Sequence, residues 1–280
     1  MRPNSLWTSP QGYRRKGTSL KDLRKLFEEK ITAQAVFEPI QSCLEQADVA
    51  EVLKILNERD FDHAGVATEP GGFVTRFVSR SSMQTGKVRD CAQKILPEFT
   101  ISDMTPLVKL LPIFKERDYV FVSAEAGVIG IITAADLSKP AVRIYLFGLI
   151  SLLEMHLGYW VRAKYPDQTW RKQLKEGRIS AAEKVLNERR RKDQEIDLLD
   201  CLQFCDKRDL VLCHQDLRTA LDLGKNADAR RALVLLERLR NQLAHSQEDL
   251  VANSSWQDLI PVIEWAESVI FVSDKLVGIR

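Results

Sequence analysis

Apolar and polar residues alternate in two different rhythms along the chain, and the rhythm changes near residue 140. Before that point, β-rich runs joined by glycine-containing turns predict two hairpins, at 61–78 and 118–136. Ahead of each hairpin, at 48–56 and 106–114, apolar residues recur at helical spacing. Pro112 lies inside the second of these stretches and limits its length. The order of helix, hairpin and helix therefore occurs twice, which predicts two copies of one α/β unit.

The two copies align at an offset of 58 residues, so that Thr75 of the first matches Thr133 of the second. In this alignment a polar residue opens a helix after each hairpin. The first copy departs from the second three positions later, where Val78 stands opposite Asp136. We therefore expect the two copies to differ in function.

Beyond Pro140 the sequence contains little β signal and predicts an all-helical bundle of about 140 residues. We predict a basic segment at 1–30, the α/β pair at 31–139 and the helical domain at 140–280, hence an α+β fold overall. The segments with helical spacing are 141–164, 168–191, 195–223, 227–246 and 254–275.

One segment, 144–161, is almost long and apolar enough to span a bilayer. Glu154 and His156 interrupt it, and a central carboxylate costs about 2.5–3.5 kcal/mol on insertion. A helix that is apolar nearly all round also fits the centre of a soluble bundle or a dimer interface. We interpret the segment as buried protein and expect no membrane association.

The charge of the chain is unevenly distributed along its length. The net charge is only +2, but residues 1–30 carry eight Lys/Arg against three acids and 162–192 carry eleven against four. Such local excess can guide a polyanion or can form a solvated helix face.

The five cysteines lack CxxC spacing, and no apolar core follows the basic start, so we expect a cytoplasmic protein. The group Cys201, Cys205, Cys213 and His214 matches no common zinc spacing, and we expect no metal.

The end of the second copy carries the most specific motif of the first half, Gly130-Ile-Ile-Thr133-Ala-Ala-Asp136. With the repeat, it resembles the cystathionine-β-synthase (CBS) domain pair over residues 31–139. That resemblance implies tandem α/β modules with an adenine nucleotide (AMP, ADP, ATP or a related signal) as regulatory ligand. It implies that Asp136 accepts hydrogen bonds from ribose hydroxyls and that Thr133 contacts phosphate. The alternative is that both residues only cap the following helix.

In the second half, Arg240-Asn241-Gln-Leu-Ala-His245 closes the fourth helical segment. An R-N-x-x-x-H pattern late in a helical bundle resembles the HEPN domains, many of which are metal-independent ribonucleases. The resemblance covers residues 141–278 as architecture. It implies a homodimer with a composite site, RNA as substrate, and Arg240, Asn241 and His245 as catalytic residues.

The residue types suit that chemistry. The RNA 2′-hydroxyl can attack its own phosphate, His245 can move a proton near neutral pH, and Arg240 can stabilise the developing charge. On one straight helix Arg240 and His245 lie about 140° apart, which favours a site shared by two chains. Alternatively, Arg240 pairs with Glu237 and His245 caps carbonyls. The chain would then be a non-catalytic, nucleotide-sensing adaptor whose helical domain binds a protein or RNA.

Overall fold

The computed structural model describes residues 19–125, 127–192, 196–245, 250–251 and 254–278. The chain divides into two compact units, one formed by residues 27–142 and the other by the described residues within 1–26 and 143–280. Most of the predicted basic segment, 1–18, lies outside the described residues. The rest of that segment includes a helix, α1 (Leu20–Glu29), which we did not predict from the sequence.

The first unit contains two four-stranded sheets built from β-rich runs of three to seven residues and two shorter strands. The strands are β1 (Glu38–Pro39), β2 (Ser42–Leu44), β3 (His63–Ala67), β4 (Arg76–Ser79), β5 (Gln93–Lys94), β6 (Thr100–Ser102), β7 (Tyr119–Ala124) and β8 (Gly127–Thr133). Each sheet contains one of the predicted hairpins, β3–β4 or β7–β8. The strand orders are β2-β3-β4-β5 and β1-β8-β7-β6.

The two modules of this unit exchange their first strands. Strand β1 precedes the first module but pairs with β8 of the second, with Glu38 opposite Ile131. Strand β5 precedes the second module but pairs with β4 of the first, with Gln93 opposite Phe77. Each sheet is therefore completed by backbone hydrogen bonds from the other module's segment, which joins the two modules into one unit.

The helical stretches ahead of the hairpins differ from each other. The first is a regular helix, α2 (Val49–Arg59), preceded by Asp48 and followed by Asp60 in the left-handed region. The second consists of two 3₁₀ turns, Leu107–Lys109 and Leu111–Lys115. Pro112 explains the difference, because it lacks the N–H that a continuous α-helix would need at that position. A short helix, α3 (Val88–Cys91), lies between the first hairpin and β5.

In the described part of the second unit, every regular element is helical. Two predicted helices, 168–191 and 195–223, are broken. The first begins with a 3₁₀ run in which Asp167 and Gln168 have positive φ. The second is interrupted where Asp197 and Gln203 each cap a new start. The longer helices are α4 (Pro140–Lys164), α5 (Glu176–Arg190), α6 (Phe204–Leu212), α7 (Gln215–Ala220), α8 (Asn226–Ala244) and α9 (Trp256–Gly278), and a short 3₁₀ turn spans Leu198–Cys201.

Helix α4 contains the apolar segment 144–161, which is almost long enough to span a bilayer. By length and composition alone it could cross a bilayer, and 61% of its most apolar window is buried within the protein. Tyr145, Leu149 and Leu153 are fully buried along one face. The side chain of His156 is also buried, and its Nδ1 lies 2.6 Å from Ser273 Oγ of α9. The polar group inside the apolar run therefore has a partner within the helical unit.

Candidate functional sites

The strand register shows which residues of the two modules correspond. Ser79 lies opposite His63 in the first hairpin, and Thr133 lies opposite Tyr119 in the second. The counterpart of Thr133 is therefore Ser79, 54 residues earlier, and the predicted match with Thr75 is wrong. The constant offset failed because β3 and β4 are joined by a longer loop than β7 and β8.

The corrected register also moves the position that corresponds to Asp136. A 3₁₀ turn follows Ser79 and another follows Thr133, and Ser82 takes the place of Asp136 in the first of them. Val78, which the sequence alignment placed there, is a fully buried core residue of β4. The first module thus lacks the carboxylate, as expected, but at Ser82 rather than at Val78.

At the end of β8, Thr133 and Asp136 lie in direct contact. Asp136 Oδ2 accepts hydrogen bonds from the Thr133 backbone N–H at 2.7 Å and from its hydroxyl at 2.9 Å. Asp136 is only 7% exposed. This is the geometry expected if Thr133 and Asp136 cap the following helix, which is the alternative to nucleotide binding. It also places a buried carboxylate in the 3₁₀ turn that follows β8.

Lys139 is a site residue that sequence reasoning missed. Its Nζ lies 2.8 Å from Asp136 Oδ1, donates to the Val36 carbonyl at 2.6 Å and pairs with the Glu38 carboxylate. Burial lowers the pKa of Lys139, but the carboxylates of Asp136 and Glu38 outweigh it, and the pKa is raised overall. Glu38 is distant in sequence, so no local pattern could have indicated this cluster.

An aromatic cluster lies where β3 and β7 begin. The rings of His63 and Tyr119, which occupy corresponding positions, have centroids 4.1 Å apart. Phe77 and Phe121 pack at 5.0 Å beside them. Burial lowers the pKa of His63 and raises that of Tyr119. These contacts give His63 a role in packing the two-module unit.

The three predicted catalytic residues lie at the end of α8. Arg240 donates to Asn241 Oδ1 at 3.4 Å, and the backbone N–H of His245 donates to the Asn241 carbonyl at 3.0 Å. His245 is the C-cap residue, and its side chain is exposed. Among the described residues, the side chains of Arg240 and His245 form no hydrogen bond with each other. A single chain therefore carries both side chains at the end of α8 without a hydrogen bond between them.

A charged cluster surrounds Arg240. Glu154 of α4 lies 2.8 Å from Lys207 Nζ and 3.7 Å from the Arg240 guanidinium. Glu237 pairs with Arg208 at 2.7 Å, so the predicted alternative of an Arg240–Glu237 pair is not observed. Lys207 and Arg208 are buried although they lie in a run of four charged residues. Composition alone does not distinguish such a run from a solvated face.

Three of the candidate zinc ligands, Cys205, Cys213 and His214, have other contacts. His214 Nε2 lies 2.5 Å from the Tyr165 hydroxyl, which lies 3.1 Å from Cys213 Sγ. Cys205 Sγ lies 3.7 Å from Gln203 Oε1. Within the part of the chain that the structure describes, no three His, Cys, Asp or Glu side chains are grouped as metal ligands.

No family model matches the chain, and no curated protein matches it. Several solved structures resemble about two fifths of it. The CBS domains of a transcriptional regulator from Streptococcus pneumoniae share 14% identity over 39% of this chain and 98% of theirs, with a TM-score of 0.33. CBSX2 in complex with AMP shares 16% identity over 40% and 97%, with a TM-score of 0.35. The CBS domain pair of MJ0100, in complex with 5′-methylthioadenosine and S-adenosyl-L-methionine, shares 15% identity over 38% and 92%, with a TM-score of 0.32.

Proposed function

We propose that the chain is a nucleotide-regulated, metal-independent endoribonuclease. In this proposal residues 31–139 form a CBS-type pair that senses an adenine nucleotide, and residues 140–280 form a HEPN-like domain that cleaves RNA. The observation that carries the nuclease assignment is the placement of Arg240 at 3.7 Å from Glu154, which also pairs with Lys207, together with the exposed His245 at the C-cap of the same helix. Phosphate cleavage by a 2′-hydroxyl requires a fixed cation and an imidazole, and the end of α8 carries both groups.

The reaction we propose is an intramolecular transesterification. The RNA 2′-oxygen attacks the adjacent phosphorus, the bond to the 5′-oxygen breaks, and a 2′,3′-cyclic phosphate remains. One His245 accepts the 2′ proton, and the His245 of a second copy protonates the leaving 5′-oxygen. Arg240 stabilises the charge that develops on the phosphoryl oxygens. The separation of Arg240 and His245 within one chain supports a site composed by a homodimer.

The regulatory site of the proposal centres on Thr133 and Asp136. A carboxylate that accepts two hydroxyl donors suits the ribose diol, and a neighbouring hydroxyl suits a phosphate oxygen. The burial of Asp136 supports this role, because hydrogen bonds gain strength where water is excluded. The first module has Ser82 at the corresponding position, so we propose one nucleotide per pair.

A second candidate is a non-catalytic adaptor that senses the nucleotide and binds a protein or RNA partner through the helical unit. The ion pair between Glu154 and Arg240 favours it, because a paired guanidinium also serves a structural role. The two candidates differ in what substitution does. An enzyme loses cleavage when Arg240 or His245 is changed, whereas an adaptor has no cleavage to lose.

The test is incubation of the full-length protein with labelled single-stranded RNA in EDTA. We expect cleavage by the wild type, and none by His245→Ala or Arg240→Ala. Arg238→Ala is the matched control, because Arg238 is an exposed arginine on the same helix two residues earlier. Absence of cleavage by a folded, dimeric wild type would favour the adaptor, and equal loss in the Arg238→Ala control would refute the assigned roles.

A further inference from the structure

The carboxylate proposed to bind the ribose is already engaged by the protein itself. A carboxylate offers about four lone-pair positions. In Asp136, three donors of the protein already occupy such positions: the Thr133 N–H, the Thr133 hydroxyl and the Lys139 ammonium. A ribose diol donates two hydrogen bonds to the same oxygens, so one of the three internal donors has to leave when a nucleoside binds.

Lys139 is the donor that can leave at the lowest cost. The two donors from Thr133 belong to the turn that ends β8, and they hold its backbone. The Lys139 ammonium has two further acceptors, the Val36 carbonyl and the Glu38 carboxylate, and its side chain is 26% exposed. It can therefore leave Asp136 and keep a counter-charge and access to water, which limits the desolvation cost of the exchange.

The capping of the turn does not itself require Lys139. The reciprocal bonds between Thr133 and Asp136 satisfy the turn without a cation. In the first module, the position 54 residues before Lys139 is Thr85, and the position before Asp136 is Ser82. The module without the carboxylate therefore also lacks the lysine, as expected if the two groups act together.

We infer that Lys139 is an internal competitor of the nucleoside at Asp136, and that its displacement signals occupancy to the start of α4. The inference rests on the proposed nucleotide site. Lys139 directly precedes Pro140, the first residue of α4. Its ammonium also connects the backbone just before α4 to Val36, which precedes β1, and to Glu38, the first residue of β1. When a nucleoside displaces Lys139 from Asp136, the ion pair between them is lost. The backbone of Lys139, which leads into α4, then has one constraint fewer.

The experiment compares adenosine and AMP binding by calorimetry in full-length protein. We expect Lys139→Met to bind adenosine about tenfold more tightly than wild type, a change of about 1.4 kcal/mol. Lys54→Met is the matched control, because that side chain is 77% exposed on α2, and it should bind as wild type does. Glu38→Gln should weaken binding in the wild type, because Asp136 becomes the only carboxylate left to Lys139. It should have no effect in the Lys139→Met background.

Each outcome decides between the claims. Equal adenosine affinity in wild type and Lys139→Met refutes the competition and leaves the nucleotide site standing. Weaker binding of AMP but unchanged binding of adenosine in the variant also refutes it, since Lys139 would then be a phosphate ligand. Absence of binding by every variant overturns the nucleotide site itself. Binding only after Lys139→Met supports the competition in its strongest form.

A second readout tests the signal. We expect AMP to increase backbone hydrogen exchange at residues 137–139 and 141–142 of the wild type. In Lys139→Met the exchange there should already be raised, and AMP should add little. If saturating AMP leaves hydrogen exchange at these residues of the wild type unchanged, the displacement of Lys139 does not transmit a signal to α4.

Discussion

The carboxylate of Glu154 lies between two cations in the helical unit. We predict that its ion pairs contribute more to the free energy of unfolding than a surface ion pair does. Exposed ion pairs contribute about 0–1 kcal/mol, whereas removing one partner of a buried pair costs about 3–5 kcal/mol. The side chains of Glu154 and Lys207 are 18% and 10% exposed. We therefore expect Glu154→Gln to lower the free energy of unfolding by about 2–3 kcal/mol, between those limits.

The assay is urea unfolding followed by tryptophan fluorescence and circular dichroism at neutral pH. Glu183→Gln is the matched control, because Glu183 pairs with Arg171 in the same unit while both side chains are more than 40% exposed. It should cost less than about 1 kcal/mol. The double variant Glu154→Gln/Lys207→Met should cost less than the sum of its single changes, because it leaves no buried cation unpaired. Equal effects of Glu154→Gln and Glu183→Gln, or strict additivity of the double variant, would refute the reasoning.

Three further predictions follow from single sites. Gly130→Ala should destabilise the two-module unit by about 1–3 kcal/mol in urea unfolding, because a Cβ there would overlap the Phe37 ring, and no loss of stability would contradict this. Because burial lowers the pKa of His63, the unfolded state binds more protons than the folded state as the pH falls below about 6.5, and stability drops. His63→Phe should make the difference in unfolding free energy between pH 7.5 and 5.5 smaller, and an unchanged difference would show that His63 is not the source of this pH dependence. Asn241→Ala should slow RNA cleavage while unfolding changes by no more than about 0.5 kcal/mol, since the side chain is exposed; a larger loss of stability would assign Asn241 a structural role.

The sequence predicted both hairpins because each has β-rich strands and a glycine-containing turn. It did not predict the exchange of β1 and β5. Those strands have two residues each, too few to show a period, and their partners lie in the other module. The misaligned first copy has a different cause. A constant offset cannot represent hairpin loops of different length, and only the pairing of Ser79 with His63 reveals the true match.

The candidate sites were predictable where the chemistry is local in sequence. Thr133 and Asp136 lie three residues apart, and Arg240, Asn241 and His245 lie within one helix end, so short motifs indicate them. Their partners come from elsewhere in the chain. The carboxylate of Glu38 at Lys139 and that of Glu154 at Arg240 depend on tertiary packing, and a pattern along the chain contains no information on such pairs.

The claim that a nucleotide at Asp136 controls cleavage of RNA is tested most directly by measuring the cleavage rate in EDTA as AMP is raised to saturation. Allosteric coupling of about 1–3 kcal/mol corresponds to a change of about 5- to 150-fold. We predict a change of at least about fivefold in the wild type and no change with AMP in Asp136→Asn. A wild-type rate that stays constant while AMP binding saturates would contradict the account.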